Sequence, residues 1–145
     1  MGKQRVRKRH EVKSVIKDYQ CQDASVKGLD NEECFVISFK YLDKNQGQTF
    51  FDWQEDKMLG IAMDTLAGYC HKPLNQQFSS SFTVYGDFPS RSAFKHPSHV
   101  PYDVKWARIH VNGTHIIAGH VFRNTFYVVF LDNNHTFYIT EKKNT

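Results

Sequence analysis

Lys105-Trp106-Ala107-Arg108-Ile109-His110-Val111-Asn112-Gly113-Thr114-His115-Ile116-Ile117-Ala118-Gly119-His120-Val121-Phe122-Arg123-Asn124-Thr125-Phe126-Tyr127-Val128-Val129-Phe130-Leu131-Asp132 is the stretch on which the fold turns. It is rich in β-branched and aromatic residues and is punctuated at Asn112-Gly113 and Arg123-Asn124, so it predicts an antiparallel β-meander over residues 104–138. Asn-Gly favours a two-residue type I′ turn, in which both central residues take positive φ. That turn sets Val111 opposite Thr114, His110 opposite His115, Ile109 opposite Ile116, Arg108 opposite Ile117 and Ala107 opposite Ala118. A second tight turn at Arg123-Asn124 sets Phe122 opposite Thr125, and then Ile117 against Phe130, Ile116 against Leu131 and His115 against Asp132.

Side chains alternate across a strand. One face of this meander therefore carries Trp106, Arg108, His110, His115, Ile117, Phe130 and Asp132. The other carries Lys105, Ala107, Ile109, Ile116, Ala118, His120, Tyr127, Val129 and Leu131, and its small or aliphatic middle suits packing against a helix. On the first face His110, His115 and Asp132 form a lateral row with Arg108 one step away, within cross-strand reach. His135 and Tyr138 follow the turn Asp132-Asn133-Asn134 and return toward the same end. A histidine beside a carboxylate has its tautomer fixed and its basicity raised, and a second histidine supplies an acid. An arginine stabilises the added charge on a pentacoordinate phosphorus. Those are the parts of metal-free RNA cleavage through the ribose 2′-OH. Two other readings stay open: zinc or another transition metal held by the histidines and Asp132, although no HxH, HxxxH or CxxC spacing occurs there, and polar positions on a half-exposed sheet with no chemistry. A one-residue slip at Arg123-Asn124 moves Asp132 to the other face.

Upstream, residues 34–42 read as a well-buried strand. Asp52, with Glu55 three residues on, resembles a capping box that opens one main helix with a stripe of Leu59, Ala62, Met63, Leu66, Tyr69 and Cys70. Pro73 ends it. Residues 82–85 read as a short strand, and the connection to Pro101 carries Arg91, Lys95, His96 and His99 and is anchored by Phe88 and Phe94. Val12, Val15, Ile16 and Tyr19 recur at helical spacing over residues 10–19. The expected division is a flexible basic tail over 1–9, a single α+β domain over 10–140 and a flexible C-terminus over 141–145.

At 145 residues and 40% hydrophobic, the chain can bury one core without staples. No apolar run is long enough to span a membrane, and no signal-like segment stands at the start, which predicts a cytoplasmic protein. Cys21, Cys34 and Cys70 read as reduced thiols. Residues 1–17 hold seven cationic side chains against Glu11, a formal +6 in a chain of net +4, so the remainder sums to −2. The basic cluster, with Arg5, Arg7, Lys8 and Arg9, reads either as a phosphate-binding arm, joined by Lys95 and an exposed Trp106, or as a solubilising tail.

The order strand, helix, antiparallel meander from about Cys34 onward resembles the RelE/ParE-like toxin ribonucleases. The likeness is carried by Trp106-Ala107-Arg108-Ile109-His110, by Thr125-Phe126-Tyr127-Val128-Val129-Phe130-Leu131, and by Asp132-Asn133-Asn134-His135-Thr136-Phe137-Tyr138. It implies one main helix on an antiparallel sheet and a metal-independent endoribonuclease without cofactor. Arg108, His135 and Tyr138 match the residues that line the active face in that family; taken together with the row on the meander, Arg108 would stabilise the transition state, His110, His115 and His135 would share acid and base roles, Asp132 would orient His115, and Tyr138 would position RNA or assist proton transfer. It also implies RNA as substrate, on or off the ribosome, and a cognate antitoxin as partner. The departures are a body without net positive charge, the added N-terminal segment and the extra connection over residues 87–101. The alternative is a noncatalytic nucleic-acid- or protein-binding module, including an antitoxin or immunity-type inhibitor.

Overall fold

The structure, a computed structural model, describes residues 34–140. The expected tail over 1–9 with Arg5, Arg7, Lys8 and Arg9, the helix over 10–19, Cys21 and residues 141–145 lie outside the described residues. In chain order the elements are β1 (Val36–Ser38), α1 (Phe50–Glu55), α2 (Leu59–Tyr69), a short 3-10 helix (Leu74–Gln76), β2 (Phe82–Gly86), β3 (Lys105–Asn112), β4 (His115–Phe122) and β5 (Thr125–Asp132). The strands form one five-stranded sheet in the order β1-β5-β4-β3-β2. The fold is therefore α+β, with the expected meander as its centre.

Four expectations about architecture need correction. The sheet is mixed, because β1 runs parallel to β5 while every other neighbouring pair is antiparallel. The long strand expected over 34–42 stops at Ser38. The chain then follows β5 through isolated backbone bonds, Asp43 N–H to the Val129 carbonyl and Gln48 N–H to the Leu131 carbonyl, both 2.9 Å.

The one main helix expected is also two. α1 begins one turn earlier than Asp52, at Thr49: the Thr49 hydroxyl accepts the Asp52 N–H, and the Asp52 carboxylate accepts the Thr49 N–H. This reciprocal box satisfies donors the first turn leaves orphaned. α1 ends with Lys57 at φ 59, the Met58 N–H on the Trp53 carbonyl and the Lys57 N–H on the Gln54 carbonyl. That is a Schellman closure, which usually carries glycine at its left-handed position. α2 then presents Ala62 and Leu66 to the sheet, while Met63, expected on the stripe, is exposed.

The β4–β5 turn is as expected, with Phe122 paired to Thr125 and Arg123 at φ 56. The β3–β4 turn is not. Asn112 pairs with His115, Val111 is displaced by a bulge, and the whole of β4 slides one place, so Ile109 faces Ile117 and Arg108 faces Ala118. A second bulge at Val129 shifts the far half of β5, setting Ala118 against Phe130 and Ile116 against Asp132. Sliding by one residue exchanges the faces of a strand. Ile117 therefore joins Ala107, Ile109, Phe126, Val128 and Leu131 beneath the helices. Ile116 and Ala118 join Trp106 and Phe130 on the opposite face, which Phe94, Val100 and Phe137 cover. The connection between β2 and β3 and the segment after β5 thus close the face expected to be open, and the sheet is buried on both sides. Among the described residues no helix is long and apolar enough to cross a membrane.

Gly119 lies beside the β5 bulge, where a Cβ would collide with the Tyr127 carbonyl oxygen, a backbone atom that cannot step aside. Gly119→Ala is expected to lower the unfolding free energy by about 2–3 kcal/mol, the range of overpacked cores. Gly60→Ala, on α2 with nothing within 4 Å of the added carbon, is expected to be neutral or to stabilise by up to ~1 kcal/mol through helix propensity. Urea denaturation of both variants checks the contrast.

Candidate functional site

The meander's histidine row does not assemble. The slide of β4 turns His115 to the helix side, where its ring meets Trp53 at 5.0 Å and its Nε2–H points to Asp56 Oδ2 at 3.3 Å. Asp132 stays on the face of Arg108 and His110 but is 1% exposed and engaged with its own loop. It accepts the N–H groups of Thr136 and Phe137, each at 2.7 Å, and the Thr136 hydroxyl and Asn134 N–H, each at 3.2 Å. It does not orient His115. Its work is to bend the chain after β5 back across the sheet, carrying Phe137 into the core. Trp106, expected as an exposed nucleic-acid contact, is a core residue at 1% exposure, stacked parallel to Phe130. Lys95 is exposed, held by backbone bonds to the Gln46 side chain.

What does assemble lies at the β2 edge of that face. Arg108 Nε–H donates to the Tyr85 hydroxyl at 2.6 Å, and its Nη2 donates to the Ser80 carbonyl at 3.3 Å. Tyr138 stacks on Tyr85 with ring centroids 4.6 Å apart and planes 9° from parallel. Burial pushes the Tyr85 phenol above its ordinary pKa, and the adjacent Arg108 guanidinium pulls it partly back. Tyr85 therefore stays protonated at neutral pH, its oxygen accepting from Arg108 while its O–H remains a donor. His110 follows Arg108 on the same face of β3 and uses Nε2–H to reach the Gly113 carbonyl at 2.8 Å. A carbonyl only accepts, so Nδ1 of the neutral ring carries the lone pair. His135, half-buried with φ 55, lies in the returning segment between Asp132 and Tyr138. Tyr138 also lines a 240 Å³ cavity with Ser90, Arg91, Ile139 and Thr140.

Tyr85 was missed because nothing in the sequence announces that β2 pairs with β3 across a long connection. A second missed group is His120, which is 3% exposed, with neither ring nitrogen hydrogen-bonded to protein. It packs between Tyr41, at 5.1 Å, and Tyr127, at 4.8 Å, with Trp106 at 5.9 Å. His96 Nε2 and Trp106 Nε1 are likewise buried without a partner. Each such group carries a desolvation cost of about 1–3 kcal/mol. Burial, and then the charge of His96, lower the His120 pKa to about 4. Among the described residues no group of three or more His, Cys, Asp or Glu side chains is gathered closely enough to hold a metal ion.

No protein-family model, curated protein or solved structure matches the chain.

Asp132→Asn is expected to cost about 2–3 kcal/mol by urea unfolding, since the charge leaves but four donors stay, and to speed hydrogen exchange at the Thr136 and Phe137 amides. His120 supplies a pH test. Unfolded, it takes up a proton as pH falls through about 6.5; folded, it does so only near 4. Neutral in both states above 6.5, it should cost stability progressively as pH drops toward 4, by roughly 3 kcal/mol in all. His120→Phe is expected to flatten that part of the wild-type stability profile between pH 7 and 4.

Proposed function

We propose that the chain is a toxin-like, metal-independent endoribonuclease, RelE/ParE-like in architecture, with Arg108, Tyr85, Tyr138 and His110 as its reactive centre. The observation that carries the proposal is the 2.6 Å bond from Arg108 to Tyr85 beneath the stacked Tyr138. It gathers a permanent cation and two phenols at one sheet edge. Tyr138, 38% exposed, offers a face for a base to stack on. In the family the sequence resembles, an arginine on a middle strand and a histidine or tyrosine after the last core strand often line the active face.

In this reaction His110 Nδ1 takes the proton of a ribose 2′-OH, the freed oxygen attacks the adjacent phosphorus, and the bond to the 5′ oxygen breaks. A phenolic O–H from Tyr85 or Tyr138 protonates that leaving oxygen, giving a cyclic phosphate and a free hydroxyl. Arg108 stabilises the charge that develops on the non-bridging oxygens. DNA, without the 2′-OH, is spared. His135 stays a candidate for proton transfer, and Arg5, Arg7, Lys8, Arg9 and Lys95 for holding the RNA strand. His115, Asp132 and Trp106 have no part in the chemistry. The substrate is RNA, free or on the ribosome, and the protein partner is a cognate antitoxin.

Total cellular RNA incubated with the full chain in EDTA, with and without ribosomes, is expected to be cut. Arg108→Ala should slow cleavage at least ~100-fold, as loss of a charge-stabilising donor does. Tyr138→Phe separates hydroxyl from stacking, and His115→Ala should leave the rate unchanged. Folded wild type that cuts no RNA under either condition, or Arg108→Ala that cuts as fast, overturns the proposal. Salt-sensitive RNA binding without cleavage would establish the alternative, a noncatalytic binding module.

A further inference from the structure

Cys34 and Cys70 are distant in the chain and are brought together where the approach to β1 passes the end of α2. An isolated antiparallel bridge pairs Cys34 with Pro73. The Phe35 N–H donates to the Lys72 carbonyl at 3.0 Å, and the Phe35 ring meets Tyr69 at 5.8 Å. Residues 34–35 are thus laid along the segment 69–73, which contains Cys70. That segment is held in shape by Gln77, whose side-chain amide donates to the Tyr69 and Lys72 carbonyls at 2.6 and 2.9 Å. Cys34 is held from its other side as well. Its carbonyl accepts the Asn124 side-chain amide at 3.0 Å, and the Val36 N–H reaches the Asn124 carbonyl at 2.8 Å.

Both thiols are free and half-buried, so a small reagent can reach them. Cys70 Sγ–H donates to the Leu66 carbonyl at 3.3 Å, a weak bond that the sulfur can surrender. Burial raises the Cys70 pKa, and the charge of Cys34 raises it further. The two side chains therefore lie within electrostatic reach of each other, on backbones that tertiary hydrogen bonds already fix. A disulfide tolerates only a narrow range of backbone geometry, and a frame pinned on both sides is what keeps two sulfurs within it.

We infer that Cys34 and Cys70 form a reversible intramolecular disulfide, a redox-sensitive staple that ties the approach to the edge strand β1 to the end of α2. The oxidant is a small disulfide of the glutathione class. One cysteine thiolate attacks it and releases one glutathione, leaving a mixed disulfide on the protein; the other cysteine thiolate then displaces the second glutathione. Two protons and two electrons pass from the protein to the pair of glutathione thiols. The loop closed in this way contains β1, α1 and α2, the whole helical layer. Closing it removes freedom from the unfolded chain that the native frame has already given up, so the oxidised fold is the more stable. The staple stands on residues separate from Arg108, Tyr85 and Tyr138 and does not depend on the nuclease reading.

The full chain, equilibrated in mixtures of oxidised and reduced glutathione, quenched with acid, alkylated and mapped by mass spectrometry, tests it. The expected product has the peptides of Cys34 and Cys70 joined, with two hydrogens lost, Cys21 left to the alkylating agent, and full reversal by dithiothreitol. Thermal unfolding of the oxidised form should shift upward by several degrees. In urea the equilibrium constant for the same linkage should be at least ~10-fold smaller, because the unfolded chain does not hold the sulfurs together. Cys70→Ser should abolish the thermal shift, while Cys21→Ser should leave both linkage and shift intact. Thiols that stay alkylatable across the whole glutathione range, mixed glutathione disulfides on both residues, a crosslink to Cys21 in place of the Cys34–Cys70 pair, or an equal linkage constant in urea would each overturn the inference.

Discussion

The buried Asp132 carboxylate is the constraint on which the rest of the second sheet face depends. A carboxylate at 1% exposure is tolerable only if its lone pairs are filled. Here the filling comes from the four donors of the turn that follows, two of them at 2.7 Å. Because the turn is wound on that charge, the chain leaves β5 and doubles back over the sheet. Phe137 then drops between Tyr85, Phe94, Trp106 and Phe130. One residue later Tyr138 lands on Tyr85, with Arg108 bonded behind it. The candidate site is a product of that reversal. A carboxylate that looked like the third member of a catalytic row proves to be the pin that builds a different cluster.

The meander itself was legible because β-propensity and turn chemistry agree over residues 105–132. Its register was legible only in part. The Arg123-Asn124 turn pairs its flanks as read, but β3 bulges at Val111, and β4 reads His115-Ile116-Ile117-Ala118-Gly119-His120, apolar at both parities. In a sheet with one open face that strand would have a preferred side. With both faces sealed, Ile116 and Ile117 are each buried whichever way the strand is set, and alternation loses its power to decide. The difference lies in the turn: its central pair is Gly113-Thr114, not the Asn112-Gly113 of the expected type I′ turn, and of these residues Gly113 alone takes positive φ, at 55°.

The helix break and the covering connection were hidden for related reasons. Lys57 occupies a left-handed position where glycine is the usual signal, so the stripe from Leu59 onward seemed to belong to one helix begun at Asp52. Phe88 and Phe94 were visible as anchors, yet nothing local told which face they would cover. Arg108 and Tyr138 stood out in the sequence as candidates, whereas Tyr85 needed a β2–β3 pairing that no turn residue specifies. His120 carried a faint signal: a histidine inside an otherwise small and aliphatic strand, whose alternation already grouped it with Tyr127.

A sheet closed on both sides leaves chemistry only at its edges and ends; the Arg108 cluster occupies one edge, and the buried His120 rings pack toward one end. They are joined by packing, since Trp106 touches His120 at 5.9 Å and Phe137 at 5.7 Å, and Phe137 touches Tyr85. Contact alone carries no coupling free energy; for one cluster to bias the other, the residue between them needs two arrangements of comparable energy. Trp106 stacks within 8° of parallel on Phe130, meets Phe88 edge-on at 5.0 Å and is closed over by Phe137. An indole wedged on three sides in a close-packed core has one rotamer to occupy. The two ends of the sheet should therefore act independently, with Trp106 a spacer between them.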